Sequence, residues 1–167
     1  KDGDYARALK EWKPIAKQGY AFAQYNLGII YEYGNGVPKD YTEAVKWYRL
    51  SAEQGYAIGQ YSLGLMYSNG YGVLKDKAEA IKWYRLSAKQ GNAYAQGMLG
   101  IMYELGVGVI KDNITAHMWY DIASDNGHEN AGDWIDGRAG LMTSSAIKKA
   151  KAMARECMAS NYEKCGY

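Results

Sequence analysis

The stretch Leu27-Gly28-Ile29-Ile30-Tyr31-Glu32-Tyr33-Gly34-Asn35-Gly36-Val37-Pro38-Lys39-Asp40 decides the reading of this chain, because its pattern returns twice. At a spacing of 36 residues come Leu63-Gly64, Tyr67, Gly70-Tyr71-Gly72-Val73 and Lys75-Asp76. The same step again gives Leu99-Gly100, Tyr103, Gly106-Val107-Gly108-Val109 and Lys111-Asp112. The period reaches beyond this stretch in both directions. Gly19, Gly55, Gly91 and Gly127 keep it, as do Asp4, Asp40, Asp76 and Asp112. Ala8, Ala44, Ala80 and Ala116 follow in step, with Trp47-Tyr48, Trp83-Tyr84 and Trp119-Tyr120. A fixed period of this length marks a chain built from stacked supersecondary units.

Each period reads as two helices. The first is expected over Ala21 to Tyr33, where Ala23, Leu27 and Tyr31 share one helical face. Gly34 stands where a left-handed residue ends such a helix, and Gly36 adds a second permissive position to the loop. Asp40 is placed to cap the second helix, with Glu43 three residues on for a capping-box-like start; Asp76 and Glu79 repeat the pairing. That helix continues through Ala44, Tyr48 and Ala52 until Gly55 stops it. Gly28, Gly64 and Gly100 lie inside first helices, where each costs ~0.5–1 kcal/mol relative to Ala. The same penalty at one phase predicts close backbone approach by the partner helix, with Ala44, Ala80 and Ala116 as the small residues opposite. Tyr and Trp side chains then fill the space between hairpins.

The resulting expectation is a single all-α repeat domain, an α-solenoid of about nine helices. Residues 4–19 form a half repeat with only a second helix, in which Trp12 takes the place of Tyr48. Full repeats follow at 20–55, 56–91 and 92–127. Residues 128–141 form a degenerate first helix that lacks the Gly-x-Gly-Val turn and the Lys-Asp pair. Residues 142–167 form a capping helix and tail. Thr143, Ser144 or Ser145 caps that amphipathic helix, which runs to about Asn161.

Composition narrows the function. Twenty glycines but only two prolines, without a triplet period, exclude collagen-like and low-complexity chains. A net charge of +2 gives no basic footprint for nucleic acid or an acidic membrane surface. No apolar stretch approaches the length of a membrane span, so no direct membrane insertion is expected. The numbering begins at Lys1, so any signal peptide would lie upstream. The two cysteines, Cys157 and Cys165, would stand ~12 Å apart on one straight helix. A disulfide needs a Cα separation below about 7 Å, so the chain would have to turn back after Asn161. That bond would imply an oxidising compartment. The alternative is two unrelated thiols, one buried and one on a frayed tail.

Catalytic chemistry is not evident. His117 takes the position of Val45 and Ile81, and His128 is read as opening a helix; neither has metal-ligand spacing. The Gly-x-Gly-Val loops follow helices and lack the Lys-Ser/Thr of a phosphate loop. Ser51, Ser87, Ser144 and Ser145 have no nucleophile context, and Asp133 and Asp136 read as a solvated face. No catalytic residue, metal or cofactor is assigned.

The motif Leu27-Gly28-x-x-Tyr31-x-x-Gly34-x-Gly36-Val37-x-Lys39-Asp40, with Ala44, Trp47-Tyr48, Ala52 and Gln54-Gly55, resembles the Sel-one-like repeat family. That family is a relative of the tetratricopeptide repeat. The resemblance covers about residues 4–127. It implies a right-handed superhelix of antiparallel helix pairs and non-enzymatic scaffold or adaptor work for a partner protein or peptide. It also implies a bacterial protein, periplasmic or secreted as many members are. The concave groove of such a superhelix is lined by first-helix positions that differ between repeats. Here these are Phe22, Tyr25, Ile29, Glu32 and Tyr33, then Ile58, Tyr61, Leu65, Ser68 and Asn69, then Tyr94, Ile101, Glu104 and Leu105. Aromatic side chains there offer large contact area with few rotors to freeze. Cysteine-rich members are reported to bind β-lactams, which makes a small-molecule binder or weak hydrolase the competing reading. This chain lacks their cysteine in each repeat. A structural spacer within a larger protein is the third.

Overall fold

A computed structural model describes residues 2–166, without the side chains of residues 2–6, 8 and 139. Asp4 and Ala8 as members of the period therefore have side chains outside the described residues. Nine α-helices and no strand occur among the described residues. They are α1 (Asp2–Lys17), α2 (Ala21–Tyr33), α3 (Tyr41–Glu53), α4 (Ala57–Asn69) and α5 (Lys77–Ala88), then α6 (Ala93–Leu105), α7 (Asn113–Asp125), α8 (Ala131–Ala139) and α9 (Ser144–Ala159). The fold is an all-α solenoid of helical hairpins. It divides into two compact units, residues 1–83 and 84–167.

Local chemistry sets the helix ends. Gly34 has φ +71°, and the N–H groups of Gly34 and Asn35 both donate to Ile30 O, closing α2 with a left-handed cap. Asp40 accepts from the N–H groups of Thr42 and Glu43 at 2.9 and 3.0 Å, and Asp76 and Asp112 repeat this at their own helices. The reciprocal half of the expected capping box is absent. The Asp40 N–H donates instead to Tyr31 O at 2.9 Å, and Asp76 and Asp112 do the same to Tyr67 O and Tyr103 O. Glu43 is left to pair with Lys46, and Glu79 with Lys82 at 3.1 Å. The bond from Asp40 to Tyr31 ties the start of the second helix to the end of the first. Gly72 answers a different need: a Cβ there would lie 2.3 Å from Tyr41 O.

In the first unit α2 packs on α1 and α3, and α3 on α4. Glu32 meets Tyr48 while Ala21 meets Ser51, so α2 and α3 run antiparallel. The core holds Ala16, Ala23, Leu27 and Ile30 in one cluster and Ala44, Val45, Tyr48, Ala52, Leu63, Met66 and Trp83 in another. Full burial of one residue such as Leu27 contributes roughly 1.5–3 kcal/mol. The mid-helix glycines face something other than the expected backbone. A Cβ on Gly28 would lie 2.4 Å from the Tyr48 ring, and one on Gly100 2.4 Å from the Tyr120 ring. The missing side chain makes room for a buried phenol, and Ala44 and Ala116 are buried as well.

An amide relay also recurs. The Gln24 Nε2 donates to Ala16 O at 3.2 Å, Gln60 to Ala52 O at 3.2 Å and Gln96 to Ala88 O at 3.1 Å. Each buried glutamine thus binds the last turn of the preceding helix. Gln54 donates to Gln24 Oε1, and Asn126 to Gln96 Oε1.

In the second unit α7 packs against α6, α8 and α9. Thr143 caps α9, its hydroxyl accepting from Ala146 N–H. Ala150, Ala154 and Cys157 form the buried face of α9. Cys157 and Cys165 are bonded, with a Cα separation of 4.6 Å. The chain turns back between them through Asn161 and Tyr162, at φ 53° and 63°. The Tyr162 hydroxyl then reaches the Asn126 amide at 2.9 Å.

Candidate functional site

The stripe Phe22, Tyr25, Ile29 and Tyr33 follows helical spacing along α2. Its ends are open to solvent: Phe22 is 51% and Tyr33 65% exposed, and Ile58 on α4 is 41% exposed. Tyr25 and Ile29 are half-buried against the core cluster. A run of rings crosses this surface. Trp12 meets Phe22 edge-on at 5.3 Å, Phe22 meets Tyr56 at 6.3 Å, and Tyr56 meets Tyr25 at 5.7 Å. Tyr25 in turn lies 5.9 Å from buried Tyr48. Such pairs add stability beyond area burial and hold the outer rings in fixed orientation. Burial pushes the Tyr48 phenol well above its ordinary pKa, with the Glu32 carboxylate acting the same way. It stays protonated and donates to Glu32.

The remaining first-unit positions divide. Tyr61 and Leu65 are half-buried and Asn69 is exposed. Ser68 is not a surface residue. It is buried, and its hydroxyl and carbonyl oxygens hold the Lys77 ammonium at 2.9 and 2.7 Å. Burial lowers the Lys77 pKa accordingly. Trp12 and Tyr56 join the ring run although sequence reasoning gave them no site role. The Tyr20–Tyr56 pairing at the period was the signal available for Tyr56.

In the second unit Tyr94 and Leu105 are exposed, at 52% and 64%, and Ile101 and Glu104 are half-buried. Gly97 occupies the phase held by Tyr25 and Tyr61. A Cβ there would lie 2.8 Å from the Trp134 ring and 3.2 Å from the His128 ring, so those two rings take the tyrosine's place. The run here is Tyr94 to His128 at 5.0 Å, His128 to Trp134 at 4.6 Å and Trp134 to Tyr120 at 5.2 Å. His128 does not open a helix. It sits in the turn before α8, and its Nδ1 accepts from Asn130 N–H at 3.2 Å. Burial lowers its pKa, which favours the neutral, stacking imidazole.

Glu104 accepts from the Tyr120 hydroxyl at 2.6 Å and lies 2.7 Å from Arg138 Nε. Burial alone would raise the Glu104 pKa, but the hydrogen bonds from Arg138 and Tyr120 outweigh it and hold it below the usual value. Among the described residues no group of three or more His, Cys, Asp or Glu is arranged to hold a metal ion. No helix among them is long and apolar enough to cross a membrane.

Paired helices closed by Gly caps, linked by buried amides and carrying runs of partly exposed rings define a helical-repeat protein. The Sel1 repeat pattern matches residues 21–56, 57–92 and 93–128, and the chain belongs to the Sel1 repeat family, as its motif implies. Proteins of this family generally mediate protein–protein interaction and are typically non-enzymatic. A Sel1 repeat protein from Oxalobacter formigenes is 33% identical, with a TM-score of 0.76, covering 86% of this chain and 62% of that one. A protective antigen of uropathogenic Escherichia coli with an SLR fold is 34% identical, with a TM-score of 0.80, covering 98% of this chain and 34% of that one. This chain therefore spans less than two thirds of either structure. Helicobacter pylori cysteine rich protein B, 22% identical with a TM-score of 0.62, shares the fold; the likeness covers 79% of this chain and 95% of that one. No curated protein matches.

Proposed function

We propose that this chain is a non-enzymatic interaction module that binds a peptide or partner protein on the aromatic surface of α2 and α4. The carrying observation is the ring run Trp12–Phe22–Tyr56–Tyr25. It leaves Phe22 half-exposed yet fixed by neighbours on both sides. A pre-oriented aromatic group loses little conformational freedom on binding, which is how interface anchors contribute most. Tyr33 and Ile58 extend the apolar area, and Glu32 supplies charge beside it. The Cys157–Cys165 bond supports a periplasmic or secreted location, where such bonds persist.

The test is selection of peptides from a displayed library on the wild-type protein, followed by affinity measurement on Phe22→Ala and Tyr33→Ala variants. The thermal midpoint should stay unchanged in Tyr33→Ala and fall slightly in Phe22→Ala, which loses its ring contacts with Trp12 and Tyr56, while affinity falls about tenfold for each. Peptides that bind both variants as tightly as wild type would remove this surface as the binding site.

A further inference from the structure

One position of the period changes its chemistry at the fourth unit. Tyr20, Tyr56, Asn92 and His128 each stand 36 residues from the last. Asn92 caps α6, its side chain accepting from Ala95 N–H at 2.9 Å. His128 does related work in the turn before α8, where its Nδ1 accepts from Asn130 N–H at 3.2 Å. A ring nitrogen that accepts carries no proton, so the neutral ring has its proton on Nε2. An asparagine amide keeps its acceptor across physiological pH, whereas protonation removes the one on a histidine.

The helix that follows has little stability of its own. α8 has nine residues, contains Gly132 and Gly137, and has no side-chain bond from its cap residue Asn130. It depends on docking, and rings dock its start. The His128 ring centroid lies 4.6 Å from that of Trp134 and 5.0 Å from that of Tyr94. His128 and Trp134 fill the space over Gly97, where the first two repeats have Tyr25 and Tyr61. A tyrosine rooted in α6 would close that space at any pH. Here closure depends on the start of α8. The far end of α8 is tied separately, through Arg138 to Glu104 at 2.7 Å.

We propose that His128 is an acid-sensitive latch: protonation of its ring releases the start of α8 and uncovers the Gly97 face of α6. The imidazolium would turn an N–H toward the Asn130 N–H, so that bond is lost and the ring leaves its place between Tyr94 and Trp134. The groups that face His128 are the Tyr94 ring and Gly97 of α6, the Trp134 ring of α8, Ala123 O of α7 on its backbone N–H, and Glu129 of its own turn. Burial lowers the His128 pKa against the smaller opposing pull of its own backbone and the Glu129 carboxylate. The folded ring is therefore a weaker base than an unfolded histidine near pH 6.5. Its contribution to stability is complete above that pH and is lost as pH falls toward the folded pKa. Glu104 is held below its usual pKa, so the Arg138 tie outlasts the latch on acidification. The acid form is a helix hinged at its C-terminal end. The latch shares no residue with the Phe22–Tyr33 surface, so either assignment can fail without the other.

The test is amide hydrogen exchange at about pH 7 and about pH 5, corrected for the intrinsic pH dependence of exchange. The reporters are the N–H groups of Ala131 and Trp134, which donate to His128 O and Asn130 O. Their protection should fall by about threefold or more on acidification and recover on return to neutral pH. His128→Asn installs the residue of the preceding repeat at this phase, and its protection should not change between the two pH values. Circular dichroism checks that this variant folds. A second readout needs no variant, because the chain has only two histidines. The midpoint of the protection loss should coincide with the NMR titration of the His128 imidazole. Unchanged protection at the lower pH, an equal fall in His128→Asn, or a midpoint that follows His117 instead would overturn the proposal.

Discussion

The ring of Tyr48 lies against Gly28 so closely that a single added methyl would come within 2.4 Å of it, and Tyr120 stands to Gly100 in the same way. Both phenols are buried almost completely, so neither ring has room to swing aside.

Gly28→Ala and Gly100→Ala should therefore each destabilise. The helix gains about 1 kcal/mol of propensity from Ala, while overpacking costs about 1–3 kcal/mol. A net loss of about 1 kcal/mol is expected in urea unfolding. Stabilisation by either change would show that the rings give way.

Glu104→Gln should produce a pH-dependent loss. Its folded pKa lies below the unfolded value near 4.5. Ionised Glu104 therefore adds stability above about pH 4.5, and the addition fades as pH falls through the folded pKa. Wild type and Glu104→Gln should differ most at neutral pH and converge at low pH in thermal melts. A gap that holds constant down to pH 2 would contradict the Arg138 and Tyr120 assignment.

Cys165→Ser opens a ring spanning eight residues of sequence separation. Loop entropy alone puts the loss at about 2–3 kcal/mol. The decrease should also appear in wild type under dithiothreitol, and the Asn126 amide signals should shift as Tyr162 is released.

Gln96→Met replaces a wholly buried amide with a side chain of similar size. Ala88 O keeps its bond from Gly91 N–H but loses the one from Gln96, and Asn126 loses one of its two acceptors, keeping the Tyr162 hydroxyl. A loss of about 1–3 kcal/mol is expected, and Gln24→Met should behave alike in the first unit.

The helix boundaries were legible because they rest on local chemistry. Gly34 can adopt a left-handed conformation cheaply, and Asp40 can cap only the helix that follows it. What the period could not convey was which atoms meet. Gly28 announced a close approach but not its partner, since a phenol and a backbone make the same demand on sequence. Ser68 matched Glu32 and Glu104 by phase, but the Lys77 ammonium pulls it inward, and no other repeat has a lysine there. Gly97 in a tyrosine position was visible, although the Trp134 and His128 rings that replace the missing phenol come from the degenerate unit, where the period has faded.

The glutamine relay bears on how such a chain changes length. Gln60 reaches back to Ala52, and Gln96 stands in the same relation to Ala88. Loss of residues 57–92 would place Ala93 directly after Tyr56, and Gln96 would then inherit Ala52 as its acceptor. A duplication of one period leaves every junction equally well matched. Gain or loss of whole 36-residue blocks thus preserves the amide contact at the new junction, whereas a shift of one residue misaligns every amide after it. Evolution can alter the extent of this scaffold in quantised steps while its caps and its ends stay the same.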